Sequence, residues 1–295
     1  MLGPDEELAP FEIATLAIIF SVAFFSNSIL LLALWRYSRD QDFSRMKILI
    51  LHLCITDLSV AVFSVLPSLI WKVEVFFRGP DFLCRLVAYV QLLVVTASSY
   101  VLLATAVDRY VALCSPMHSL RWTKRRTHKM VAVAWLAAAV ISTPQLYLWQ
   151  MRELAMDRNC ITCTIKLPSL EHAQAYVTFH ALSIFIVPTL ILVFTYGRIC
   201  VVVWRATSQS SSDFLQRNTA STANPETSFL KSDQQTTGAS QRATSSMTSS
   251  KLKTFKLTAT VIVCFIVCNI PFFSVILCRA WVPESNYREN IGKAH

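Results

Sequence analysis

Asp108, Arg109 and Tyr110 stand side by side in SSYVLLATAVDRYVALCSP, placing a carboxylate, a guanidinium and a phenol at the end of a long apolar run. Charges in or beside a bilayer cost about 2.5–3.5 kcal/mol each on insertion scales, so they tend to be paired or functional. Two readings of Arg109 are open. It snorkels to the interface as a solvated cation, or it is a latched cation, held by Asp108 in one state and released to a cytosolic partner in another. Asp57, in LHLCITDLSVA, is a lone carboxylate in mid-run. Such a group is either neutral or holds a cation.

The elements that position these groups follow from composition. Of 295 residues, 54% are hydrophobic and only 15% charged, with mean hydropathy +0.48, which is too apolar for a soluble domain of this length. A hydrocarbon core about 30 Å thick takes roughly 20 helical residues to cross. Runs at 13–35, 46–71, 83–114, 130–149, 173–204 and 255–281 are each long enough. They are continuous rather than alternating, which argues against a strand barrel, so the expected fold is an all-α transmembrane helix bundle with six spans present in this chain. The first run follows Asp5, Glu6 and Glu7 and reads as a retained span, not a leader.

Net charge is +9, but the basic residues do not form one patch for nucleic acid. They gather in the connections after spans one, three and five; 118–129 holds Arg121, Lys124, Arg125, Arg126 and Lys129 without an acid. By the positive-inside rule these connections are cytosolic, and residues 1–12 and the 282–295 tail lie outside. Residues 13–204 carry spans one to five with short loops. The segment 205–254 is rich in Ser, Thr, Gln and Asn and is expected to be a mobile cytosolic loop, its hydroxyls either phosphorylation acceptors or part of a plain solvated linker. Span six follows at 255–281. Pro67, Pro144, Pro188 and Pro271 each lie within a span and are candidate kinks. Cys84, Cys160 and Cys163 fall on the outer, oxidising side and allow one disulfide and one spare thiol.

VDRYVALCSP resembles the Asp-Arg-Tyr signature of rhodopsin-class (class A) G-protein-coupled receptors, and other landmarks of that class occur in order. Asn27 matches helix one and Asp57 helix two; Trp135 with Pro144 resembles helix four, Pro188 with Tyr196 helix five, and Phe265, Cys268 and Pro271 helix six. VLPSLIWKVEVFFRGPDFLCRLVAYVQ, STPQLYLWQMRE and AYVTFHALSIFIVPTLILVFTYGRIC are similar to the vasopressin/oxytocin receptor group, with neuropeptide S and crustacean cardioactive peptide receptors as near relatives. The resemblance implies a neuropeptide ligand, contacted by Gln91, Gln145, Phe272 and Phe273, and a heterotrimeric G-protein partner. It implies a switch at Asp108, Arg109, Tyr110, Tyr196, Phe265 and Pro271, a partial sodium site at Asp57 and Ser98, and a disulfide between Cys84 and Cys160.

Departures accompany the likeness. Ser64 and Ser68 stand where the group carries glutamines, Ala88 where it has lysine and Ile276 where it has glutamine; Asn269 replaces the tryptophan of Cys-Trp-x-Pro. A pocket without those long amides should read a different peptide. No seventh span and no Asn-Pro-x-x-Tyr follow helix six. The expectation is therefore a multi-pass plasma-membrane peptide receptor, truncated or incomplete in this sequence, with both termini outside, inactive toward G proteins alone and retained in the endoplasmic reticulum unless another receptor supplies the missing contact. A non-signalling variant that associates with full-length receptors is the alternative. A six-span channel or transporter is the remote one, lacking an internal repeat, an arginine ladder or a filter segment. Lipid is a partner on any reading. No nucleophile with a base, phosphate loop or metal spacing supports an enzyme, cofactor or metal.

Overall fold

The computed structural model describes residues 4–38, 44–74, 79–154, 157–222, 259–260 and 262–281. Six helices among these are long and apolar enough to cross a membrane: α1 (Pro10–Arg36), α2 (Arg45–Val73), α3 (Asp81–Cys114), α4 (Lys124–Leu148), α5 (Leu170–Arg205) and α6 (Ile262–Trp281). Each expected span has its helix. Large apolar side chains remain exposed along one stripe of α4, at Val133, Leu136 and Val140, and along α5 at Leu190, Phe194 and Trp204. Helical spacing puts each set on one side of its helix, facing the solvent such surfaces require, which is lipid.

Polar residues inside the helices return their hydrogen bonds to their own backbone. Thr96, Ser99, Thr105 and Ser183 each donate to the carbonyl one turn back, at 2.7–3.2 Å. Asn27 does the same to Ala23 O at 2.9 Å and Asn269 to Phe265 O at 2.7 Å. This is how a hydroxyl or a short amide is tolerated where no water is available.

The prolines leave a signature in two of the four helices. Residues Ala61–Val65, just before Pro67, and Ala181–Ile186, just before Pro188, form π turns. In each, the residue preceding the proline reaches back five residues, Leu66 N–H to Ala61 O and Val187 N–H to Leu182 O. A proline has no N–H to give and its ring crowds the carbonyl four back, so a wider turn relieves both faults. At Pro144 the regular helix instead stops at Ser142, and a short helical turn, Gln145–Leu148, completes α4.

Three features differ from the expectation. The first helix begins at Pro4, inside the segment read as an outer tail. The fifth continues to Thr222, into the segment read as a mobile loop; no glycine or proline interrupts the chain between Gly197 and Pro225, so nothing stops the helix. The connection after α4 is a β-hairpin, β1 (Trp149–Leu154) against β2 (Asp157–Ile165), with Met151 opposite Cys163. The remainder of 205–254, from residue 223, and the 282–295 tail lie outside the described residues.

The chain forms two compact units, one of residues 1–105, 122–190 and 270–295, the other of 106–121 and 191–269. Within the first, Leu49, Val101, Ala104, Val131 and Ala134 make one core, packed by Leu53, Tyr100, Met130 and Trp135. The alanines let α2, α3 and α4 approach closely, as membrane helices must when packing rather than water drives association. A second core joins α3, α5 and α6 through Ala181, Ile184 and Phe273, with Leu92, Val95, Phe185 and Leu277 against it.

Candidate functional site

A cavity of about 360 Å³ opens above this second core, within the first unit. The four residues expected to meet a peptide, Gln91, Gln145, Phe272 and Phe273, all line it. So do four of the five positions of departure, Ser64, Ser68, Ala88 and Ile276, Asn269 being the exception. Trp149, Tyr176 and His180, which no sequence motif marks, complete its polar groups. The signal was present: Tyr176, His180 and Ile184 recur every four residues along α5 and so share a face.

The floor is aromatic. Phe273 is 8% exposed and stacks on Phe185, ring centroids 5.1 Å apart, while Phe272 meets Phe273 edge-on at 5.3 Å. Phe272 is 59% exposed and also borders the outside of the helices, so Phe273 is the better-held of the pair. The walls are largely apolar but carry a few polar side chains. Gln91 reaches across to α2, its Nε2 3.3 Å from both Ser64 O and Ser68 Oγ. Gln145, buried, donates to the Tyr176 hydroxyl, and His180 Nδ1 lies 2.8 Å from Tyr176 O.

The β-hairpin is moored at the same end. Asp81, the first residue of α3, accepts the Met151 N–H at 2.9 Å through one oxygen and the Arg85 Nε–H at 2.7 Å through the other. Arg85 also donates to Leu146 O at 3.4 Å. Cys84 sits one turn into α3 and is bonded to Cys163, not to Cys160 as expected. The reason lies in the register. Asp81 holds Met151 beside the start of α3, and Met151 pairs with Cys163, which brings Cys163 to Cys84. Cys160 lies three residues further along β2, about 10 Å at the usual strand rise, toward the turn of the hairpin.

Deeper in this unit, Ser98 Oγ donates to Asp57 Oδ1 at 2.7 Å, so the two expected sodium-site residues do meet. In the second unit, Asp108 is 1% exposed and ion-paired with Arg109, itself largely buried. Tyr196 is buried in the same unit. Among the described residues no group of three or more His, Cys, Asp or Glu side chains could hold a metal ion.

The profile of the 7 transmembrane receptor (rhodopsin family) matches residues 26–295. Cephalotocin receptor 1 of Octopus vulgaris is 35% identical over 291 residues, covering 96% of this chain and 72% of the relative. Vasopressin V1b receptor of Mus musculus is 36% identical over 282 residues, covering 95% and 66%. Annetocin receptor of Eisenia fetida is 34% identical over 316 residues, covering 96% and 74%. The chain thus spans about two thirds to three quarters of the length of these relatives. With six membrane-crossing helices, an Asp-Arg-Tyr ion pair and this likeness over nearly all of its length, the chain belongs to the rhodopsin family of seven-transmembrane receptors and to its vasopressin/oxytocin group.

Proposed function

We propose that this chain is a plasma-membrane receptor that binds a neuropeptide of the vasopressin/oxytocin type in the cavity lined by Gln91, Gln145 and Phe273, and relays binding to a heterotrimeric G protein through Arg109. The observation that carries the reading is the convergence of these residues, distant in sequence, on one cavity together with Ser64, Ser68, Ala88 and Ile276. Peptide amides need hydrogen-bonding partners on largely apolar walls, and the cavity supplies both. The serines shorten the polar arms that glutamines provide elsewhere in the group, so selectivity among related peptides differs from that of the glutamine-bearing receptors.

At the other site, the buried Asp108 neutralises Arg109 in the closed state, and a cytosolic partner competes for the guanidinium when that pair opens. Tyr110, Tyr196, Phe265 and Pro271 belong to the same switch. Asp57 and Ser98 form two groups of a sodium site, so Asp57→Asn should remove any effect of sodium on peptide affinity. The peptide reading is tested by saturation binding of labelled vasopressin, oxytocin and cephalotocin to membranes containing the chain. Saturable binding weakened tenfold or more by Gln145→Leu supports it; no saturable binding of any of the three to inserted protein contradicts it.

A further inference from the structure

The hydrogen bonds that the cavity wall already makes determine which ones remain for a ligand. Gln91 Nε2 donates to Ser64 O and Ser68 Oγ. A backbone carbonyl only accepts, so the nitrogen end of the amide is fixed toward α2 and the carbonyl oxygen is the end left open. Ser68 gives its own proton to Ser64 O at 2.8 Å, so toward Gln91 it acts only as an acceptor. His180 follows the same logic: Nδ1 faces Tyr176 O, which can only accept, so Nδ1 carries the proton and Nε2 of the neutral ring is an acceptor. His180 Nε2 is buried with no partner among the described residues. The same is true of Gln145 Oε1, whose nitrogen end is taken up by Tyr176.

The protons of Gln91 and Ser68 and one of Gln145 are thus turned into the protein, and most of the polar atoms left over are acceptors: Gln91 Oε1, Gln145 Oε1 and His180 Nε2, against two donors, the Trp149 Nε1–H and the Tyr176 hydroxyl proton. A buried acceptor without a donor is costly, and a ligand that brings the donor recovers that cost. Apart from His180, whose ring is neutral here, none of the lining residues is acidic or basic, so the wall offers no fixed charge, and the donors it suits are neutral ones. We propose that the part of the cavity wall formed by Gln91 and His180 is an acceptor-rich site that prefers neutral hydrogen-bond donors, amide or indole N–H and phenol O–H, with these two residues determining the preference. The inference rests on the cavity being the ligand site and adds the chemistry by which it discriminates.

Indole and benzofuran test it, because they share a shape and differ in presenting an N–H donor or a ring oxygen. Their dissociation constants would be measured by saturation-transfer NMR on the chain in lipid nanodiscs, with empty nanodiscs subtracted. Indole is expected to bind at least tenfold more tightly, and His180→Phe or Gln91→Leu to cut that ratio to threefold or less. Using a ratio within each variant cancels any loss of folded protein. Absence of indole binding, a wild-type ratio below threefold, or a ratio unchanged in both variants overturns the proposal. A flat ratio with peptide binding intact sinks this inference alone, whereas an intact ratio without peptide binding sinks the peptide reading alone.

Discussion

At the scale of single residues, the disulfide shows how a local register decides chemistry that spacing leaves open. Cys160 and Cys163 are three apart, and either could follow from the sequence. The choice falls to Cys163 because Asp81 fixes Met151 and the ladder pairs Met151 with Cys163. With a separation of 79 residues, the cross-link removes about 4–5 kcal/mol of loop entropy from the unfolded chain in the entropic model. Cys84→Ser and Cys163→Ser are therefore expected to lower the yield of folded protein severalfold, and Cys160→Ser to leave it within twofold of the parent, as measured by size-exclusion chromatography of solubilised membranes. Equal losses for Cys160→Ser and Cys163→Ser would contradict this register. Asp81→Ala should loosen the hairpin with the disulfide intact, since Met151 N–H and Arg85 then lose their shared partner. Faster hydrogen exchange at Met151, with exchange in α4 unchanged, is the expected sign.

At the scale of elements, the helices were legible and their irregularities were not. Twenty-residue apolar runs admit one reading, so all six spans could be placed from the sequence. The prolines announced kinks, but whether a helix answers with a π turn, as before Pro67 and Pro188, or with a stop, as before Pro144, depends on what packs around it. The hairpin has a signal in the alternation of ITCTI at 161–165, which suits a strand, but five residues between two spans do not reveal the partner strand. Likewise His180 is not legible in the sequence because one histidine on an apolar helix carries no motif; its importance comes from Tyr176 O and the cavity beside it. A π turn adds a residue and rotates what precedes it by about 100° relative to a regular helix. Pro188→Ala lets α5 revert, which would swing Tyr176 and His180 off the cavity wall. Peptide affinity should fall at least tenfold while the melting temperature holds within a few degrees; unchanged affinity would show that the π turn does not position the wall.

At the scale of the whole molecule, the residues read as binding ligand belong to one compact unit of the chain and Asp108, Arg109, Tyr110, Tyr196 and Phe265 to the other, with α3, α5 and α6 contributing to both. Coupling between two sites is reciprocal, so a G protein that responds to peptide must also raise peptide affinity. Arg109→Ala is expected to abolish that rise while leaving affinity in G-protein-free membranes within threefold, and Gln91→Ala to weaken affinity tenfold in both conditions. The claim on which all of this depends is that the peptide occupies the cavity. Photo-crosslinking tests it most directly, with benzoylphenylalanine placed singly at Ala88, Ile276 or Leu136 and a labelled vasopressin-type peptide added before illumination. Ala88 and Ile276 line the cavity and Leu136 faces outward, so labelling is expected at the first two positions, suppressed by excess unlabelled peptide, and absent at the third. Labelling at Leu136 alone, or at none of the three in folded protein, would contradict the account.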